Sequence, residues 1–282
     1  MKELISDVLL RDKKGAILNY GVPKCGKTYA LWTLLAMGLE PIWFFDFDEG
    51  AESLITVAKK KGLLKAPDSI VYYTYLPSQG QKIGLSQYQD HTVGRQIIDK
   101  FFVDHNMIYQ MLEADGKTWK NPDTYPGALK GMRPPRVLVY DSTTALQDYL
   151  LDFILGINGV EFGQKNVDGR SIYFTQQKKM VEIIRSARAL PVLSVFNAHQ
   201  LTKQDETTSV PSTAPAFTGI QRDVIGREFS AVLYSYEDRT KQGADKYRWR
   251  IAHDQMIQGT GVRFRDDLPD TIPQDYRLLL QA

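Results

Sequence analysis

Cysteine is almost missing from this chain: a single residue, Cys25, occurs in 282. That rules out an intramolecular disulfide framework and any cysteine-based metal cluster, and it suits a reducing compartment. Long apolar runs are missing as well. Nothing approaches the ~18 consecutive apolar residues of a membrane-spanning helix. The first dozen residues, MKELISDVLLRD, carry acids and no sustained apolar stretch, so no membrane partner and a cytoplasmic location are expected. Neither sign of charge dominates, since 35 Lys and Arg stand against 33 Asp and Glu for a net +2. A polyanion would have to be held by a local patch, because no global field is there to hold it. Internal repeats and low-complexity tracts are absent, and with 43% hydrophobic and 24% charged residues the composition is that of an ordinary globular protein.

What is present is alternation. Strand-like apolar runs occur at Ala16 to Tyr20, Ile42 to Phe45, Ile70 to Tyr75, Val137 to Tyr140, Val192 to Phe196 and Ala231 to Tyr236. Helical patterns fall between them at Lys27 to Met37, Gly50 to Lys61, His91 to Ala114, Thr144 to Leu155 and Ile172 to Leu190. Such alternation predicts an α/β fold, a mostly parallel central sheet flanked by helices. Three segments read as loops: Asp115 to Pro135 from its Gly, Pro, Asn and Lys, Gly156 to Gly169 from its Gly content, and Lys203 to Thr218 from its Ser, Thr and Pro. Beyond them, Lys246, Arg248 and Arg250 alternate with Tyr247 and Trp249. A short partner at Val262 to Arg265 could close a C-terminal β-hairpin across the Gly259-Thr-Gly261 turn.

The chemistry begins at Gly21-Val22-Pro23-Lys24-Cys25-Gly26-Lys27-Thr28. It fits G-x-x-x-x-G-K-[ST] and lies between a predicted strand and a predicted helix, where that pattern has physical meaning. Small residues let successive backbone N–H groups wrap a phosphate, and the helix N-terminus that carries Tyr29 adds donors and a positive dipole end. Lys27 then faces the β and γ phosphates of ATP, and the Thr28 hydroxyl takes a Mg²⁺ position. Arg136-Val-Leu-Val-Tyr-Asp141 delivers a carboxylate at the end of a buried strand, to organise that metal or else to cap the following helix. Ile42-Trp-Phe-Phe-Asp46-Phe-Asp48-Glu49 ends a second strand in acids. Period 2 puts Asp46 and Asp48 on one face and Glu49 on the other, so Asp48 and Glu49 are both candidates for the hydrolytic base, unless these acids cap the helix near Gly50. Val192 to Phe196 runs into Asn197-Ala-His199-Gln200, where Gln200 is a candidate γ-phosphate sensor.

Taken together, the loop, the Asp46-Phe-Asp48 strand end, the Val-Leu-Val-Tyr-Asp141-Ser142 strand and the strand ending in His199-Gln200 resemble the RecA-like ATPases in their order along the chain. Within that family the chain looks most like the phage nucleotide-binding proteins of the Sak single-strand annealing group, whose basic, Pro-containing tail is similar to Gly261-Val-Arg263-Phe-Arg265 through Tyr276. The resemblance implies one RecA-like P-loop domain over residues 1–282, with the C-terminal hairpin and tail at about 241–282. It also implies a Mg²⁺-dependent ATPase acting on single-stranded DNA in recombination, in the host cytoplasm if phage-encoded, as a homo-oligomer with shared ATP sites. Carried over, Lys27 and Thr28 bind phosphate and metal, Asp141 supports the metal, Asp48 or Glu49 is the acid and Gln200 the sensor. The Lys203 to Thr218 loop, with Lys203 and Arg222 against Asp205, Glu206 and Asp223, would face DNA. Arg263 and Arg265 match cations that reach a neighbour's phosphates.

Six cations between Lys241 and Arg265, against Asp245 and Asp254, surround Tyr247 and Trp249. Cations interleaved with aromatics suit a single-strand groove, and the same pattern describes a plain amphipathic strand. The competing function is a KaiC-like or helicase-loader-like switch that controls a protein assembly. A small-molecule kinase is the less fitting third, since no Arg-rich lid is visible.

Overall fold

A computed structural model describes residues 15–76, 92–120, 131–159, 168–204, 211–218, 225–252, 257 and 260–280. The centres of the loops expected at 115–135 and 156–169, the Gly259 turn position, Asp205, Glu206, Arg222, Asp223 and Asp254 lie outside the described residues. Strand β1 (Ala16–Gly21) leads into two short helices, α1 (Lys27–Ala30) and α2 (Trp32–Ala36), so the helix expected there is interrupted at Leu31. Then follow β2 (Ile42–Asp46), α3 (Glu52–Lys60), β3 (Ile70–Thr74), α4 (Thr92–Met111), β4 (Val137–Asp141), α5 (Thr143–Ile157) and α6 (Gly169–Ala189). The remainder is β5 (Leu193–Gln204), β6 (Pro211–Pro215), β7 (Ala231–Glu237), β8 (Tyr247–Arg250), β9 (Gly261–Val262), β10 (Thr271–Pro273) and α7 (Tyr276–Leu280).

The sheet order is β10-β8-β7-β1-β5-β4-β2-β3. From β7 to β3 every neighbouring pair is parallel, so the expected α/β architecture, a mostly parallel sheet flanked by helices, is present. Every residue of β1, β2 and β4 is buried, because a parallel sheet is covered on both faces and its strands read as continuous apolar runs. One face packs Leu18, Phe45, Tyr140 and Phe196 against α4, α5 and α6. The other packs Ile17, Phe44, Val139 and Val195 against α1, α2, α3 and the C-terminal α7. Among the described residues no helix is long and apolar enough to cross a membrane.

Two expectations are corrected. Lys203 to Thr218 is not simply irregular: β5 runs on to Gln204 and pairs antiparallel with β6, Gln200 opposite Pro215 and Gln204 opposite Pro211. Ladder bonds, which composition does not reveal, satisfy this backbone. The C-terminal antiparallel pair exists, but Val262 to Arg265 is not the partner of β8. Both edges of β8 are taken, one by β7 and one by β10, while Val262 lies opposite Ala231 at the start of β7.

Within β8 the alternation is real and its inward face is core. Trp249 is fully buried, donates from Nε1 to Ser235 Oγ at 3.1 Å and meets Tyr276 edge-on with ring centroids 4.7 Å apart. A ring so placed cannot stack on bases. Trp249→Ala should therefore lower folding stability by about 3–5 kcal/mol, read as a shift in denaturation midpoint. A wild-type midpoint would return Trp249 to the surface.

Candidate nucleotide site

The C-terminal edge of the parallel strands is where α/β folds gather their chemistry, and the register assembles it here. Asn19 of β1 lies opposite Asn197 of β5, Asn197 opposite Asp141 of β4, and Asp141 opposite Asp46 of β2. Residues in register share a face, so these four buried polar side chains form one row beneath the phosphate loop.

The loop itself rises from Gly21. A side chain there would put its Cβ 2.2 Å from the Ser235 carbonyl and 2.9 Å from Cys25 Sγ, so the first glycine is required by close approach. Lys24 and Gly26 take positive φ, 64° and 93°, the backbone reversal that turns N–H groups toward an anion. At Gly26 a Cβ would also meet the Tyr247 ring at 2.7 Å. Lys27 is only 7% exposed. Its ammonium donates to Gly21 O at 3.0 Å and Val22 O at 2.9 Å and touches Cys25 Sγ at 3.7 Å, so its charge is held inside the loop. Cys25 is buried, and burial pushes its thiol up despite Lys27. Tyr29 borders a cleft of ≈ 640 Å³ with Thr56, Lys60 and Lys61.

Thr28 Oγ1 donates to Asp141 Oδ2, which also accepts from Asn197 Nδ2 at 3.0 Å. Asp141 does not cap α5. Ser142 does, its Oγ accepting from Ala145 N at 3.2 Å, and this leaves the Asp141 carboxylate for the site. Burial, reinforced by the charge of Asp48, pushes Asp141 up to about 6 against Thr28, Asn197 and Lys27.

The acids after β2 divide their work differently from strand alternation. Asp46 is a turn cap: Oδ1 accepts from Asp48 N at 3.1 Å and Gly50 N at 3.0 Å, and Oδ2 from Ala51 N at 3.4 Å and Tyr72 hydroxyl at 2.7 Å. Its carboxylate ends the strand and folds the chain back, so Asp48 is not on a strand face with Asp46. The turn carries Asp48 toward Asp141, and a Cβ on Gly50 would lie 3.0 Å from Asp141 Oδ2 and 3.4 Å from Asp48 Oδ1. Asp48 Oδ2 lies 3.3 Å from His199 Nε2. Burial, the largest influence, raises the Asp48 pKa, but hydrogen bonds from His199 and Ser142 with the charges of His199 and Lys27 outweigh it and hold Asp48 below the usual carboxylate range. Glu49, at φ 64°, is exposed.

Other expected residues make contacts of their own. Gln200 donates to Thr202 Oγ1 at 3.4 Å within the β5–β6 pair, while His199, opposite Gly21, reaches Asp48. Arg263 Nη2 donates to Arg227 O at 3.1 Å, and its backbone N to Ser230 O at 2.9 Å, just before β7. Since Ala231 lies opposite Ile17, Arg263 sits at the N-terminal edge of the sheet, away from its own phosphate loop. Arg265 forms a two-bond pair with Asp267, both at 2.6 Å. The residues that sequence reasoning passed over are Asn197, Ser142 and Gly50; only register and turn geometry bring them to the site.

A family model described as an AAA domain matches residues 13–258. Among solved structures the chain is similar to the RadB recombinase, with 12% identity and a TM-score of 0.44 over 88% of this chain and 84% of that one. No curated protein matches.

Proposed function

The chain belongs to the AAA domain family of P-loop ATPases, and we propose that it hydrolyses ATP between Lys27, Asp141 and Asp48 and couples that cycle to single-stranded DNA. The observation carrying the hydrolytic part is the convergence of two differently tuned carboxylates on one loop. Asp141, pushed up by burial and held by Thr28 and Asn197, fits a metal-organising role. Asp48, kept ionised by His199, Ser142 and Lys27, fits a base that orients a water and accepts its proton. Among the described residues no three or more His, Cys, Asp or Glu converge on a metal, so Mg²⁺ at Thr28 and Asp141 would complete its shell with phosphate oxygens. Bound there, the ion would supply neutralisation of phosphate charge. Lys27 would supply a fixed positive charge, and Tyr29 borders a cleft with room for the nucleoside.

Support for DNA comes from β8. Tyr236 lies opposite Arg248 and Tyr234 opposite Arg250, so two arginines and two tyrosines share the face that Trp249 does not occupy. The tyrosine rings are stacked, 6.1 Å apart at 13°. Cations that follow a backbone beside aromatic faces are what single-strand binding uses. With a net charge of only +2, affinity would come from repeating this patch along a homo-oligomer. That assembly, in which Arg263 or Arg265 reaches a neighbour's phosphates, and a place in phage recombination are carried by the Sak-type resemblance.

ATP turnover and fluorescence anisotropy of a labelled oligonucleotide test the reading. Single-stranded DNA should stimulate turnover and bind in the presence of Mg²⁺ and a non-hydrolysable ATP analogue. Arg248→Ala with Arg250→Ala should weaken binding for every sequence and flatten its salt dependence. Absence of binding at low salt would overturn the DNA role in favour of an assembly switch.

A further inference from the structure

The C-terminal segment touches the phosphate loop from a sequence distance of 249 residues. Gln274, directly after β10, is 7% exposed. Its Nε2 donates to the Cys25 carbonyl at 2.9 Å and to the Arg248 carbonyl at 3.0 Å, while its backbone N–H donates to Tyr247 O at 3.0 Å. Both partners of the amide are carbonyls, which only accept, so the orientation of the amide is decided by its surroundings: the NH₂ must face them. Oε1 then occupies the space over Gly26, 2.8 Å from where a Cβ would stand. The Tyr247 ring covers the same glycine and packs 5.7 Å from Tyr29. Two residues on, the backbone N of Tyr276 donates to Thr33 Oγ1 at 3.0 Å, which fixes α7 to α2, the second short helix after the loop.

We propose that Gln274 is a positioning residue of the phosphate loop, an amide clamp that holds the Cys25–Gly26 peptide against β8. The physical reason is local stiffness. The loop contains two positive-φ residues, and N–H groups aimed at an anion are useful only if they are already in place when it arrives. The clamp also makes β8 a mechanical neighbour of the loop, because one amide joins the Arg248 carbonyl to the Cys25 carbonyl. A shift of β8 therefore moves the loop with it. The consequence for catalysis rests on the ATP reading above, but the clamp itself does not.

Cys25 is the only cysteine in the chain and is buried inside the loop, so its labelling rate by a small aromatic disulfide reports loop opening without any nucleotide. Gln274→Met keeps the length of the side chain and removes both donors. Labelling should accelerate about tenfold, and affinity for a fluorescent ATP analogue with Mg²⁺ should fall about tenfold. Ile272→Val, in the same strand and facing Trp249, should change neither. If Gln274→Met does not fold, Gln274→Asn, one methylene short of the carbonyls, serves in its place. A wild-type labelling rate in the Gln274 variant, or equal acceleration in Ile272→Val, would overturn the clamp. Faster labelling with unchanged nucleotide affinity would overturn the positioning role. A wild-type protein that binds no nucleotide would instead refute the ATP reading and leave the labelling comparison valid.

Discussion

Replacing Lys27 with alanine should abolish ATP turnover in a protein that still folds. The ammonium is the one cation bonded inside the loop among the described contacts, and it ties Gly21 O and Val22 O to the start of α1. Phosphoryl transfer asks little covalent chemistry of the protein, so catalysis is mostly positioning and charge stabilisation. A fixed charge in a partly dry site is worth several kcal/mol, and turnover should drop by at least about 10²- to 10³-fold. The folded state loses two charge-assisted bonds and also the need to bury an ammonium, a net cost of about 1–3 kcal/mol. Phosphate release at saturating ATP and Mg²⁺, alongside thermal unfolding, checks both halves. Wild-type turnover in Lys27→Ala would remove the nucleotide site from this loop.

The second large effect separates two adjacent acids. Asp48→Asn should reduce turnover by about 10²- to 10⁴-fold, while Glu49→Gln should leave it within about twofold of wild type. Asp48 lies 3.3 Å from His199 and is held by His199 and Ser142, whereas Glu49 is exposed at positive φ. Both variants should still bind ATP with Mg²⁺, because neither residue is part of the loop. Single-turnover hydrolysis makes the comparison without product release. Loss confined to Glu49→Gln would reverse the assignment and imply that the 47–51 turn rearranges around the nucleotide.

How much of this was readable beforehand varies with the kind of interaction. The phosphate loop is a covalent spacing, so Gly21 to Thr28 could be read directly. The apolar strands were equally plain, because a parallel sheet buried on both faces leaves long uninterrupted apolar runs. At residue resolution the reading weakened. Alternation put Asp46 beside Asp48 on a strand face, but Asp46 satisfies three backbone N–H groups and the strand stops there. Gln200 was read as a sensor from its residue type, and only the register of β5 against β1 shows its neighbour His199 opposite Gly21, within 3.3 Å of Asp48. The hairpin of β5 and β6 carries Ser, Thr and Pro, which read as a loop until ladder pairing is seen.

By itself the sequence determined the class of the fold, the phosphate loop with Lys27 and Thr28, and the carboxylate Asp141 at a strand end. These depend on neighbours along the chain, on periodicity and on turn chemistry, all of which are local. Only the tertiary structure decided which groups meet. Asn197 reaches Asp141 because β5 lies between β1 and β4. Trp249 turns into the core because its register against Ser235 and Ile272 puts it on the face that α7 covers. Gln274 closes on Cys25 because the last strand returns across the sheet to its first loop. Contacts between segments so far apart in sequence follow from strand order and register, and neither leaves a periodic mark in the residues that make them.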